Sequence, residues 1–284
     1  MAPRLRHDFM AYTPERTFSG GSFTSASELG VHAFETILGA THHQEVVYTS
    51  VPPNWSASIL QYLDKSTESA GIRKNYNSDT QILWIRIMPT EIHNCIQVWI
   101  RNEMARWMSV GLLTLSELCY LNTLVGTTID FRFAPYAGSR KEPDLLVRQN
   151  NNLLPVLAIE TGWTESYSRL LDDMNLWLVG GNGAVKAVII VKWGRVGSTN
   201  QVKGTAELYT LDPAGMPIRR QSEQVFPEPP PPQARAQEFS FTRRLLVGTA
   251  VFQGRNADDV FTLKIDELRR NARDALSLMG LVPS

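Results

Sequence analysis

The sequence predicts an α/β (α+β) protein: a central mixed sheet flanked by helices, with helical and strand extensions at the N- and C-terminal ends. Two short apolar runs bounded by turn residues, at 145–147 and 155–159, predict buried strands. An amphipathic segment at 167–178 then predicts a helix, and the apolar run at 184–193 predicts a third strand. Because a strand–helix–strand unit favours a right-handed crossover, we expect the sheet to be partly parallel.

The first two of these strands are expected to form a hairpin centred near Asn152. This register places Asp144 opposite Glu160, and directly opposite side chains on paired strands have Cβ atoms roughly 5 Å apart. Two carboxylates at that distance repel each other unless a cation lies between them, and hard oxygen ligands suit Mg²⁺ or Mn²⁺. The pair is therefore a candidate site for a divalent metal.

Four segments are predicted along the chain. An N-terminal extension covers 1–71, a core covers 72–215, a proline-rich spacer covers 216–237, and a C-terminal segment that packs on the core covers 238–284. The sequence PEPPPP inside the spacer favours an extended, semi-rigid conformation.

Hydrophobic periodicity predicts the other elements. Glycines at 180, 181 and 183 are expected to end the amphipathic helix of the core. Further helices are expected at 25–38, 55–63, 91–110, 116–124 and 265–279, and further strands at 46–51, 81–88, 127–135, 205–211 and 245–247.

The core resembles a known family. The order Pro143-Asp144, Glu160, helix and apolar strand resembles the restriction-endonuclease-like core of the PD-(D/E)xK nuclease superfamily. A closer resemblance is to an uncharacterised group of fungal proteins with a degenerate form of that core, through IETGWTES at 159–166 and DMNLWL at 173–178. It covers about half of the chain, from roughly residue 72 to residue 193. The resemblance implies that Asp144 and Glu160 hold Mg²⁺ or Mn²⁺ for hydrolysis of phosphodiester bonds in nucleic acid.

The resemblance fails at one catalytic position. The superfamily has a lysine two residues after the glutamate, where it positions or activates the attacking water, and here that residue is Gly162. Lys192, near the end of the third strand, is the best substitute cation on the sheet, although a lysine at a strand end also serves solubility. Its neighbour Trp193 is expected to be strand-end packing, with stacking on a base as the alternative.

Glu103 is the third candidate metal ligand. It falls within the apolar stripe of the helix predicted at 91–110, where a carboxylate is costly unless it is paired, protonated or bound to metal. The superfamily resemblance implies an acidic ligand from this helix. The other interpretation, which has more weight, is an ion pair with a residue such as Arg106.

Composition limits the partners. Lys plus Arg and Asp plus Glu number 28 each, so the formal net charge is zero, which counts against strong nonspecific binding of nucleic acid. Cys95 and Cys119 lie in apolar contexts and are expected to be free buried thiols in a reducing compartment. The N-terminus lacks the apolar region of a secretory signal, and no stretch is long and apolar enough to span a membrane. We therefore expect an intracellular protein of the cytoplasm or nucleus; the sequence does not fix its oligomeric state.

Two hypotheses follow. The first is a metal-dependent, nuclease-like enzyme that uses Asp144, Glu160 and Lys192 for catalysis, with Glu103 as a further metal ligand. The second is a catalytically inactive nuclease-fold module for binding or interaction, because folds persist after an activity is lost. Arg140 and Lys141, just before Asp144, can contact phosphate in the first case, although a solvated pair of loop charges is the more common explanation. In the second, they can hold the two carboxylates in a purely structural network.

Overall fold

The computed structural model describes residues 15–67, 71–88, 90–163, 167–230 and 236–284. These residues form the α+β fold that the sequence predicted, with seven helices and mixed, open sheets. The helices are α1 (Ala26–Leu38), α2 (Pro53–Ser66), α3 (Glu91–Ser109), α4 (Leu115–Tyr120), α5 (Tyr167–Leu178), α6 (Arg243–Val247) and α7 (Ile265–Leu278). The strands are β1 (Arg16–Ser19), β2 (Gln44–Thr49), β3 (Ile72–Asn77), β4 (Ile82–Ile87), β5 (Leu121–Leu124), β6 (Ile129–Asp130), β7 (Arg140–Lys141), β8 (Leu145–Gln149), β9 (Leu157–Gly162), β10 (Ala187–Arg195), β11 (Gln201–Leu211), β12 (Pro217–Phe226), β13 (Glu238–Thr242), β14 (Val260–Lys264) and β15 (Val282–Pro283).

The first sheet joins the N-terminal part of the chain to the core. Its six strands have the order β1-β2-β4-β3-β7-β6, and residues of α1 and α2 share a buried apolar cluster with β2, β3 and β4. The boundary predicted at residue 71 therefore cuts through one sheet, since β2 pairs with β4 across it. The described residues of the predicted extension over 1–71 thus share a sheet with strands of the predicted core.

The second sheet carries the motif strands. Its order is β12-β11-β10-β9-β8-β5, and β15 pairs with β11. Strands β8 and β9 are antiparallel, while β9 and β10 are parallel and joined through α5, as the strand–helix–strand pattern predicted. Alternating side chains bury both faces: Leu145 and Ile159 pack with α3 and α7, whereas Leu146 and Ala158 pack with α5.

Helix α5 ends where the sequence predicted, at a pair of glycines packed against the helix itself. A Cβ at Gly181 would lie 2.3 Å from the carbonyl oxygen of Trp177, and one at Gly180 would lie 2.5 Å from that of Leu176. These distances are below any normal contact, so glycine lets the chain turn tightly out of α5 toward β10.

The C-terminal part adds strands and helices to the core. Helix α7 packs beside α3 in the largest apolar cluster, and β15 extends the second sheet beyond β11. Residues 217–226 of the predicted spacer form strand β12 instead, because they pair along β11. The spacer interpretation is therefore wrong for this stretch; of the proline run, Pro231 and Pro232 lie outside the described residues.

Three local predictions also differ from the structure. Residues 245–247 belong to helix α6, whose N-cap Thr242 accepts a hydrogen bond from the backbone N–H of Leu245, so the predicted strand is wrong. Within the predicted strand at 127–135, only Ile129–Asp130 pairs as a strand. Cys95 is buried as expected, but Cys119 is exposed on α4. Among the residues described, none of the helices combines the length and apolarity needed to cross a bilayer.

Candidate functional site

The predicted hairpin register is confirmed. Leu145 pairs with Ile159 and Val147 with Leu157, so continuing the register by one residue places Asp144 opposite Glu160. Both carboxylates lie on the α5 face of the second sheet, because they alternate with Leu145 and Ile159, which face α3. Asp144 is 1% exposed and Glu160 is 2% exposed. The motif carboxylates are therefore neighbours inside the protein.

Asp144 is held by two arginines and a backbone amide. Its Oδ1 accepts from Arg73 and, at 2.7 Å, from Arg86, and its Oδ2 accepts from the N–H of Thr161 at 2.7 Å. Arg73 also donates to the carbonyl oxygen of Pro143 at 3.3 Å. Burial raises the pKa of Asp144, but the charges of Arg86 and Arg73 and the Thr161 amide outweigh it, so the pKa lies below its usual value. Asp144 is thus an ionised, fully paired carboxylate.

The two arginines belong to a charged row across the first sheet. Glu45 of β2 pairs with Arg86 of β4, and Arg86 pairs with Arg73 of β3. The Arg86 Nε donates to Glu45 Oε1 at 3.3 Å, and its Nη2 donates to the carbonyl oxygen of Thr161 at 3.1 Å. Like charges directly opposite on paired strands destabilise a sheet. Asp144, reaching in from the other sheet, accepts from both guanidinium groups and so offsets their repulsion.

Glu160 is held by a lysine and a tryptophan. The Nζ of Lys141 lies 3.3 Å from Glu160 Oε2 and also pairs with Asp173 of α5, while the Nε1 of Trp177 donates to Glu160 Oε1 at 2.6 Å. Burial raises the pKa of Glu160 to about 8, and the nearby Asp173 and Asp144 add to the effect against the opposing charge of Lys141. At neutral pH, Glu160 is therefore mostly protonated, and Lys141 compensates chiefly Asp173.

Lys192 lies beside the position of the missing lysine. In the parallel pairing of β9 with β10, Lys192 is in register with Gly162, and its Nζ donates to the carbonyl oxygen of Trp163 at 3.3 Å. Lys192 alternates with Val191, which packs toward α3, so it lies on the face that carries Glu160. The substitute predicted from the sequence is thus on the correct strand face. Residues 164–166 of the resemblance motif, which follow Trp163, lie outside the described residues.

Glu103 is not brought to this pair. Its Oε2 accepts from Arg106 at 2.5 Å, and its Oε1 accepts from the backbone N–H of Lys264 at 3.2 Å. These contacts lie between α3 and β14, on the face of the second sheet opposite Glu160. Burial raises the pKa of Glu103 against the opposing effect of Arg106. The i,i+3 partner Arg106 pairs with the carboxylate locally, as the alternative interpretation required, and the role of Glu103 as a metal ligand stays a prediction.

The two basic residues before the motif have different partners. Lys141 is 0% exposed and bonds Glu160 and Asp173, which matches the structural-network interpretation. Arg140 points away from the motif carboxylates, since its Nη1 lies 2.9 Å from Asp64 and its Nε lies 3.0 Å from Asp130. Neither side chain is placed as a simple solvated loop cation.

Mg²⁺ or Mn²⁺ does not fit the Asp144–Glu160 pair as it is built. All four carboxylate oxygens already accept from protein donors: Arg73, Arg86, the Thr161 amide, Trp177 and Lys141. A dication at this point would compete with these donors and meet the charges of Arg86 and Lys141. Across the described part of the chain, no group of three or more His, Cys, Asp or Glu residues is placed to hold a metal ion.

The sequence did not reveal the two arginines that pair with Asp144. Arg73 and Arg86 stand 71 and 58 residues before Asp144 along the chain, so no local spacing connects them to the motif. A signal was present in Arg86, which is a charged residue inside the apolar strand ILWIRI. A buried cation within such a strand requires a buried anion.

Comparison with known proteins adds no assignment: no family model matches this chain, and no curated protein matches it. The resemblance to the PD-(D/E)xK superfamily therefore depends on the motif residues and on the strand–helix–strand unit that carries them.

Proposed function

We propose that this chain is a nuclease-like scaffold that acts as a non-catalytic binding or interaction module. The observation that supports this best is the position of Asp144, whose oxygens accept from Arg73, Arg86 and the Thr161 amide. In a metal-dependent nuclease this carboxylate would be a metal ligand. Here, it neutralises two arginines of the neighbouring sheet, so its role is to join the two sheets.

An interaction module also needs a surface for its partner. A groove of about 560 Å³ runs between α3, α4 and strand β5 at the edge of the second sheet. The exposed Val125 and the half-buried Met108 and Leu118 make it largely apolar, and Arg101 adds a positive charge at its wall. This groove lies on the α3 face of the second sheet, opposite the face that carries the motif carboxylates.

The first test combines metal titration with stability. We expect no calorimetric binding of Mg²⁺ or Mn²⁺ that depends on Asp144. We also expect Asp144→Asn to lower the free energy of unfolding by about 3–5 kcal/mol, because it removes the carboxylate that Arg73 and Arg86 share and leaves Arg86 to Glu45 among these carboxylates. Chemical denaturation measures this change.

Asp130→Asn is the matched control. Its carboxylate is 61% exposed and pairs with Arg140, so we expect a change within about 0.5 kcal/mol. Metal binding that Asp144→Asn abolishes, together with little loss of stability in that variant, would overturn the proposal.

A second candidate, a divalent-metal-dependent nuclease, is favoured by one observation. Lys192 is in register with Gly162 and lies on the same face as Glu160. If the chain cleaves nucleic acid, cleavage of single- and double-stranded DNA or RNA with Mn²⁺ should be lost in Lys192→Ala. It should be retained in Lys186→Ala, which changes an exposed lysine just before β10, the strand that carries Lys192. Equal cleavage by both variants would mean that Lys192 takes no part in the reaction.

A further inference from the structure

Two histidine rings meet at a buried corner that neither candidate function uses. His43 precedes β2, His93 lies in the first turn of α3, and their ring centroids are 5.5 Å apart. His93 is 1% exposed. Within the described chain, the Nε2 atoms of both rings and Oε2 of the nearby Glu45 are buried without a protein hydrogen-bond partner. Buried polar atoms without partners are rare in proteins, and two neighbouring rings that each keep one call for a ligand from outside the protein, such as an ion or a water.

The other nitrogen of each ring is held by the protein. His43 Nδ1 lies 2.9 Å from the carbonyl oxygen of Met88, which can only accept, so Nδ1 carries the proton and Nε2 presents a lone pair. His93 Nδ1 lies 2.7 Å from the hydroxyl of Thr90, the N-cap residue of α3. The carbonyl of Met88 fixes the tautomer of His43, whereas the Thr90 hydroxyl, which can donate or accept, fixes the orientation of the His93 ring.

Both rings are kept neutral by their surroundings. Burial lowers the pKa of His43 and of His93, and the charges of Arg86, Arg73 and Lys192 lower that of His93 further. Neutral imidazole is the form that binds metals.

The same cations oppose a bound dication, but carboxylates offset two of them. Asp144 neutralises Arg73 and Arg86, and Glu45 bonds Arg86 through Oε1 while its other oxygen is left without a protein partner. Glu45 also acts electrostatically on His43. Two of the three cations that act on His93 are therefore paired with carboxylates.

We propose that His43 and His93 bind a late first-row divalent cation of the Zn²⁺ class through their Nε2 atoms. Zn²⁺–N bonds of about 2.0–2.1 Å put each ring centroid roughly 3.2 Å from the ion and the two centroids roughly 5.2–5.5 Å apart at tetrahedral to trigonal angles. The observed separation is 5.5 Å. No third His, Cys, Asp or Glu among the described residues is placed to complete the set, so water fills the other positions and Glu45 contributes charge.

The test uses Co²⁺ as a spectroscopic probe and Zn²⁺ as its competitor. Chelator-treated protein without a histidine tag is titrated with Co²⁺, and visible absorption and calorimetry report binding. We expect one ion per chain, displaced by Zn²⁺. His43→Gln and His93→Gln are each expected to weaken binding at least tenfold, whereas His42→Gln, a neighbour whose Nδ1 contacts the Thr41 hydroxyl at 3.0 Å, should bind like the parent chain.

Circular dichroism first establishes that each variant is folded. If His93→Gln does not fold, His43→Gln decides the matter, because His43 lies at the edge of β2 and is only partly buried. No Co²⁺ binding by the parent chain, or equal binding by the parent and both variants, would overturn the site. Either result leaves the proposed function unaffected, since that proposal concerns Mg²⁺ and Mn²⁺ at Asp144.

Discussion

Charge neutralisation explains most of what the buried ionisable residues do. Lys141 is 0% exposed and bonds both Asp173 and Glu160, so one buried ammonium faces two carboxyl groups. The protein resolves this imbalance by protonation, because burial raises the pKa of Glu160 while Asp144 stays ionised between its arginines. The two motif carboxylates thus have opposite protonation states at neutral pH. A metal site would need both of them ionised.

This difference predicts a pH dependence that belongs to Glu160. Its pKa rises from 4.5 to about 8 on folding, so the ionised form is penalised in the folded state. The stability that protonated Glu160 contributes is complete below about pH 4.5 and is lost as the pH rises toward 8, a loss of roughly 3 kcal/mol by pH 7. In Glu160→Gln, which cannot ionise, the free energy of unfolding should fall less steeply over this window.

Urea denaturation at a series of pH values measures the slope. Glu91→Gln, which changes an exposed glutamate at the start of α3, is the control and should keep the parent slope. Asp144 does not contribute within this window because its pKa is lowered from 3.8; the stability that its ionised form provides is lost only in stronger acid. An unchanged slope in Glu160→Gln would mean that Glu160 is ionised in the folded chain.

At the scale of elements, the side chain of Trp193 in β10 packs against the paired strand β11. Trp193 is 0% exposed, its Nε1 donates to the hydroxyl of Thr161 at 3.0 Å, and it pairs with Gly204 of β11. The indole therefore serves packing, and the alternative of stacking on a base does not apply to a ring that is buried within the fold. The ring needs the space that the absent side chain at Gly204 leaves.

Gly204→Ala should therefore destabilise the protein. A Cβ at this position would lie 2.4 Å from two carbons of the Trp193 ring, so the indole or the strand must move, at a cost of about 1–3 kcal/mol. Gly71→Ala is the matched control, since a Cβ there meets nothing within 4 Å and the backbone is not in the left-handed region. Thermal unfolding compares the two variants. Equal melting temperatures would mean that Trp193 packs more loosely than its burial indicates.

Elements with local determinants were predictable from the sequence, and contacts between distant elements were not. The hairpin of β8 and β9 followed from its apolar alternation and its turn, and the end of α5 followed from Gly180 and Gly181. Helix α6 was predicted as a strand because three apolar residues fit either period. The arginine partners of Asp144 were missed because they come from strands of another sheet, which the sequence pattern does not place beside β8.

At the scale of the molecule, the predicted core of 72–215 lacks partners that the structure makes essential. It leaves out β2, which supplies Glu45 to Arg86, and α7, whose Leu268 and Leu276 are buried in the apolar cluster with α3. We expect the fragment 72–215 to expose this apolar surface, bind a hydrophobic dye and unfold without a cooperative transition. The fragment 15–284, which keeps every described element, should unfold in one cooperative step. Calorimetry and dye fluorescence on the two fragments decide between these outcomes. A cooperative transition in 72–215 would show that this stretch is an independent domain and that β1, β2 and α7 are additions to it.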